Sequence, residues 1–483
     1  MATKPAINAK SIEKLGAARL AELLFEISAG DAALKRRLRF ELAGAQSPAE
    51  AAREIRKRLA SLAKARGFID WNKMRAFAAE LDTIRRAIAD QLAQSDAAEA
   101  LDLMMRFMSL AAPVFGRCDD SNGIVSNVFR GACGNLGAIA AAARPQPQHL
   151  ANQAFEALKA NDHGQYDGLI ETLAPVLGAS GLEHLKSRML ELAKTPVPKP
   201  AGKDRVVIGW GGNNGRIYAD EIEERHRQSV ARLALEQIAD HQADVDGYIS
   251  LQSQKARRVP RISAGIAQRL LSSGRAEEAL QALNAADGDF PPGLAHEWET
   301  TRAEVLDALC KNTEAQAFRW SCFERTLAAD HLRNFLKRLP DFDDVQAEDR
   351  AMAVALAFPE IHVALHFLVT WPALAKAALL VEARRAELDG NLYELLTPAA
   401  QALEGKYSLA ATLLRRAMIN HILDYSKATR YRHAARHLLE CESVESSIAD
   451  RRTYPTHHDY VNELRRLHPR NSAFWTLLPP PSE

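Results

Sequence analysis

Apolar side chains in this chain recur at the helical period, segment after segment, and that recurrence limits it to folds built from packed helices. In "SIEKLGAARLAELLFEISAG" the residues Ile12, Leu15, Leu20, Leu23, Leu24 and Ile27 share one broad face, with Ser11 placed as N-cap and Gly30 as the terminating residue. Ser47 with Pro48 behind it opens a helix through Leu62, Asp70 precedes one through Leu92, and Ser95 precedes one through Phe115. No alternating run of comparable length competes with these. Ala and Leu interleaved with Glu, Lys and Arg favour helix on propensity, and aromatic residues make up only 6% of the chain.

With 483 residues the chain has room for two to four domains or one long repeat array. Its formal net charge of +1 gives no global field to attract nucleic acid or an anionic membrane. The five cysteines are too few and too scattered for a disulfide framework and read as reduced, mostly buried thiols of a cytoplasmic protein. The opening "MATKPAINAKSIEKLG" has no apolar core of a secretory signal. The most apolar region, Ala351 to Val381, is interrupted by Pro359, Glu360, His362, His366, Pro372 and Lys376 before any run reaches the roughly 20 residues a membrane span needs. It reads as buried helices, with no membrane partner.

The clearest break is "KTPVPKPAGKD", Lys194 to Asp204, where three prolines leave an extended linker. The expected organisation is an N-terminal helical domain over 1–194, a proline-rich linker over 195–204, and a helical-repeat domain over 205–483. Within the last, "AGIAQRLLSSGRAEEALQAL" reads as two helices joined at Gly274, and a second pair turns at Lys311 and Asn312, about 38 residues on. A third is "KYSLAATLLRRAMINHILDYSKATRYRHAARHLLE". This spacing is that of tetratricopeptide and related helix-pair repeats, in which each unit buries its apolar face against the next.

One glycine-rich run, "RVVIGWGGNNGRIY" (Arg205 to Tyr218), raises the question of a phosphate loop. After Gly209 and Gly211 the Rossmann pattern requires glycine where Asn214 stands, and Gly215 is followed by Arg216 rather than the Lys of a P-loop. The helix signal lies further on, with Asp220 as N-cap and Glu223 at N3. Two short strands in a β-hairpin near 205–218, turning at Asn214-Gly215, are the favoured reading. A ligand-binding loop using Trp210, Asn213 and Asn214 is the alternative.

Three further clusters have chemistry to offer. His433, His437 and Cys441 follow at i, i+4 spacing and could present zinc ligands, set against an ordinary repeat helix. "CDDSNG" has the look of a calcium loop but carries Arg130 where the bidentate Glu belongs, so Asp119 or Asp120 reads as a helix cap. His163, Tyr166 and Asp167 offer acid–base groups if another segment completes a site, and otherwise form a polar turn. The first 66 residues hold twice as many basic as acidic side chains, a candidate phosphate-contacting stripe or solvated faces with pairs such as Glu54 to Arg58.

Five longer phrases, "IADHQADVDGYI", "KRLPDFDDVQAEDRAM", "YELLTPAAQALEGKYSLAATLLRRAM", "YRHAARHLLEC" and "HPRNSAFWTLL", resemble a bacterial family known only as a domain of unknown function, over nearly the whole chain. The resemblance implies a helical, repeat-like cytosolic protein and supplies no catalytic residues. The C-terminal part also resembles the helical tails of SWIM-type zinc-finger proteins, but without a C-x-C the finger itself is absent. The expectation is an all-α, tetratricopeptide-like α-solenoid closed by Phe474 and Trp475. It would bind a protein or peptide and need no cofactor. Nucleic-acid binding through the basic N-terminal helices and a metal-dependent enzyme with a composite site are the alternatives.

Overall fold

The computed structural model describes residues 8–30, 34–35, 37–39, 42–43, 47–202, 204–212, 215–286, 295–451 and 453–479. Contacts group the chain into two units, Met1–Ser253 and Gln254–Glu483.

Local capping decides where the helices of the first unit begin. The first expected helix is two, α1 (Ala9–Glu13) and α2 (Gly16–Ser28). Asn8, not Ser11, is the N-cap, since its side chain accepts the Ser11 N–H at 3.0 Å while the Ser11 hydroxyl accepts the Asn8 N–H. The break falls at Gly16, whose φ of +77° suits a residue without Cβ. α3 (Pro48–Lys64) starts as expected, with the Ser47 hydroxyl accepting from Glu50 N at 3.2 Å. Behind Asp70 a 3-10 turn leads into α4 (Met74–Arg86), which continues through a π turn to Leu92. α5 (Ala97–Met108) is capped by Asp96 rather than Ser95, because the Asp96 carboxylate takes the Glu99 N–H while the Ser95 hydroxyl donates back to the Leu92 carbonyl. α6 (Ala111–Phe115), α7 (Ile124–Ala143), α8 (Pro147–Lys159) and α9 (Leu169–Lys194) follow.

Beyond α9 the expected hairpin is present, β1 (Val207–Trp210) antiparallel to β2 (Arg216–Tyr218), with Trp210 opposite Arg216. It leads directly into α10 (Ala219–His241) and then α11 (Val245–Leu251). Ala234, Leu235 and Ile238 of α10 join the same core as Phe107, Phe129, Leu136 and Leu185. The proline-bearing segment 195–204 therefore lies inside the first unit, and Val197 N donates to the Glu224 carboxylate at 2.8 Å.

The second unit is a succession of helix pairs: α12 (Pro260–Ser272), α13 (Ala276–Asn284), α14 (His296–Ala308), α15 (Asn312–Thr326), α16 (Ala329–Leu336), α17 (Asp343–Ala357), α18 (Ile361–Thr370), α19 (Leu374–Arg384), α20 (Tyr393–Glu404), α21 (Ser408–Asp424), α22 (Tyr431–Ser443), α23 (His457–Leu467) and α24 (Ser472–Trp475). The three sequence-predicted turns share one device. Gly274, Cys310 and Ser426 take φ of 77°, 55° and 48°, and the next N–H reaches back to a carbonyl five residues earlier: Arg275 to Leu270, Lys311 to Leu306, Lys427 to Ile422, at 2.8–2.9 Å. This closes the orphan carbonyls of each first helix and reverses the chain.

One apolar cluster of this unit includes Trp320, Phe323, Phe367, Leu396 and Leu414, and a second includes Tyr431, Leu438, Tyr460, Leu464 and Phe474. Phe474 is fully buried with its ring 5.9 Å from that of Tyr431, and Trp475 packs beside it. The apolar stretch 351–381 resolves into parts of α17, α18 and α19, and among the described residues no helix is long and apolar enough to cross a membrane.

Candidate binding pocket

The last helix pairs leave a pocket of about 350 Å³ walled by the Gly390 turn, α20, α21 and α22. Met418 and Ile422 of α21 and His437 of α22 are its buried lining, while Tyr393, Glu394, Pro398, His433 and Arg436 line it with exposed side chains. A Cβ on Gly390 would stand 2.0 Å from the Ala417 carbonyl oxygen, so glycine alone lets this turn lie against α21.

Cations gather at the pocket. The Arg430 guanidinium lies 4.4 Å from the Tyr393 ring centroid, a cation–π arrangement that steadies both walls. The Arg436 Nε stands 3.6 Å from Glu440, whose other oxygen meets His437 Nδ1 at 2.9 Å and Arg415 Nε at 3.0 Å. Burial opposes the charge on Glu440, but the His437 hydrogen bond and the neighbouring guanidinium groups outweigh it and hold the carboxyl below its ordinary range. Burial lowers the His437 pKa against the pull of Glu440, which keeps the imidazole neutral at pH 7. An apolar side chain thus has somewhere to go, and an acidic group beside it has Arg430 and Arg436 to meet.

Among the sequence-predicted residues, His433 and His437 reach this pocket and Cys441 does not. Cys441 is buried, its thiol donates to the Thr412 carbonyl at 3.9 Å, and burial pushes its pKa to about 12. The ligand atoms of these three residues do not form a cluster within 4.8 Å, so their shared spacing is not a preformed zinc site. All five cysteines are free, with Cys133, Cys322 and Cys441 buried.

The remaining candidates are held by local structure. Asp120 accepts from Val125 N and Ser126 N at 2.8 Å each, capping α7, and Asp119 accepts from Ser121 N. His163 lays its ring 4.9 Å from Phe115, Tyr166 is buried with its hydroxyl pushed up to about 12 by burial, and Asp167 accepts from the Asn161 amide at 2.8 Å. That is a polar turn between α8 and α9, satisfied from within. Trp210 is 66% exposed on β1 beneath Arg216, while Asn213 and Asn214 lie outside the described residues. Asp220 is not an N-cap. It sits one residue into α10 and takes the Arg205 guanidinium at 2.7 and 3.1 Å, tying the hairpin to the helix. Along the chain, β2 separates the glycines from the start of α10.

Of the basic N-terminal residues, Arg53 pairs with Glu50, Arg56 with Glu99, and Arg58 with Glu80 of α4 rather than with Glu54. Sequence reasoning missed Tyr393, Glu394 and Arg430, whose only signal was their place at the ends of two apolar-periodic segments.

The fold is all-α apart from one short hairpin, with helix pairs in succession through the second unit. The chain belongs to a family of unknown function, DUF6880, which matches residues 2–477 and bears out the family resemblance of its longer phrases. Comparison with curated proteins gives no match. Among solved structures the chain is similar to a "Circular tandem repeat protein with novel repeat topology and enhanced subunit contact surfaces", at 13% identity over 95% of this chain and 92% of that one, with a TM-score of 0.13.

Proposed function

We propose that this chain is a cytoplasmic, tetratricopeptide-like solenoid scaffold that binds a segment of another protein in the pocket between α20, α21 and α22. The observation that carries this reading is the pairing of a buried apolar lining, Met418 and Ile422, with the cations Arg430 and Arg436 at one cavity. Peptide grooves work by that division: an anchoring side chain supplies burial and a charge at the rim sets register. The bound segment carries a bulky apolar residue next to Asp, Glu or a terminal carboxylate. Ion pairing within the basic N-terminal helices favours a structural role there over a phosphate-contacting stripe.

Selection from a peptide library displayed against the full chain tests the reading. Enriched sequences with an apolar residue flanked by acidic ones, whose binding is lost in Arg436→Glu, are the expected result. Enrichment without acidic residues, or binding indifferent to Arg436→Glu and to Met418→Glu, would show that the pocket is not the binding site. Copurifying partners that vanish on nuclease treatment would redirect it to nucleic acid, whose binding falls steeply with salt.

A further inference from the structure

Among the described residues, one group of three metal-capable side chains brings its ligand atoms within 4.8 Å of one another: His296, Glu299 and His331. His296 and Glu299 stand at i, i+3 in the first turn of α14, so they project to the same side of the helix, and His331 reaches them from α16. Glu299 and His331 are each 3% exposed, whereas His296 opens to solvent. His331 Nε2 lies 2.9 Å from Glu299 Oε2, and the ring of His296 stands edge-on to that of His331 with centroids 5.1 Å apart. Arg325 of α15 occupies the other carboxylate oxygen, Oε1.

We propose that His296, Glu299 and His331 form a binding site for one divalent transition metal of the zinc class. Two imidazoles and a carboxylate are a ligand set that such ions accept, with a remaining position for water. Arg325 fixes the carboxylate through Oε1, which leaves Oε2 for the metal. The ion replaces the hydrogen bond between Oε2 and His331 Nε2; His331 binds through Nε2 as the neutral imidazole with its one proton on Nδ1, and the second proton of an imidazolium goes to solvent. A purely structural ion network needs only Glu299, Arg325 and His331. His296 touches it through its ring edge on His331, and its exposed ring completes the ligand set on the solvent side.

Titration of the chelator-stripped full chain with Co²⁺, followed by visible absorption, and with Zn²⁺, followed by calorimetry, tests this. One equivalent per chain is expected, with d–d bands showing nitrogen and oxygen ligation. His296→Ala, an exposed change that spares the buried pair, weakens both metals by at least about tenfold while the metal-free chain melts as the parent does. His433→Ala, at an exposed histidine of the pocket, leaves the affinity unchanged. Absence of saturable binding, or an affinity that His296→Ala does not alter, overturns the proposal. Loss of binding in His433→Ala alone would place the metal elsewhere and overturn it equally.

Discussion

The two units solve the burial problem differently. Among the described residues of the first, the only buried charged side chain is Asp220, at the foot of the hairpin, and the interior is one apolar cluster around Phe107, Phe129 and Leu136. The second buries Glu299, Arg319, His331, Arg415, Arg416 and His437. A buried ion is costly unless its partners meet it fully, and a well-packed apolar replacement is often as stable. Helices pack without such groups in the first unit, and under the proposed function the charges of the second exchange some stability for recognition. Both the pocket and the cluster of His296, Glu299 and His331 lie among them.

That contrast can be broken most forcefully in the first unit. Phe129 is fully buried with ring centroids 5.3 Å from Phe107 and 5.5 Å from Phe115. Phe129→Ala is expected to cost about 3–5 kcal/mol, equally at pH 7.5 and pH 5.5, as read by denaturant-dependent hydrogen exchange resolved to peptides of 124–143. In the second unit, Gly390→Ala forces a methyl group onto the Ala417 carbonyl and is expected to cost about 1–3 kcal/mol, with lost protection concentrated in α20 and α21. Unchanged protection there would mean that the turn has room the structure denies it.

Acid provides a finer test. Burial lowers the pKa of His421, His437 and His457. Lys427 adds to this at His421 against Asp389, Arg436 and Arg415 add to it at His437 against Glu440, and Arg416 adds to it at His457 against Glu442 and Glu445. Each of these histidines takes up its proton more readily in the unfolded chain, so stability is full above the unfolded value of about 6.5 and is lost as pH falls below it. Hydrogen exchange at pH 7.5 and 5.5 is expected to show α21–α23 loosening first, and His437→Gln should flatten part of that dependence. The smallest effect belongs to the surface: Arg53→Ala removes an exposed pair with Glu50 and should shift unfolding by no more than about 0.5 kcal/mol.

The sequence made the helix pairs legible because their determinants are local. Gly274, Lys311 and the 408–440 segment announced reversals that backbone hydrogen bonds then closed, and Ser47, Asp120 and Phe474 do what their neighbours required. What failed depended on competition or on distance. Asn8 outbid Ser11 for a cap it could fill, Asp96 outbid Ser95, and Arg205 drew Asp220 away from capping. The spacing of His433, His437 and Cys441 suggests one shared face, yet each i, i+4 step turns about 40° around a helix, and two such steps carry the series from solvent into the core. His331 stands 32 residues from Glu299, and Arg430 is 37 residues from Tyr393, separations at which only tertiary packing makes neighbours.

Photo-cross-linking from the pocket wall shows whether this cavity holds a segment of another protein. With benzoylphenylalanine in place of Tyr393, the full chain irradiated in lysate of its source organism should yield a discrete protein adduct. That adduct should survive nuclease, map to a segment with an apolar residue beside acidic ones, and disappear in Arg436→Glu. No adduct, or one that Arg436→Glu and Met418→Glu leave unchanged, would contradict the assignment of this pocket as a protein-binding site.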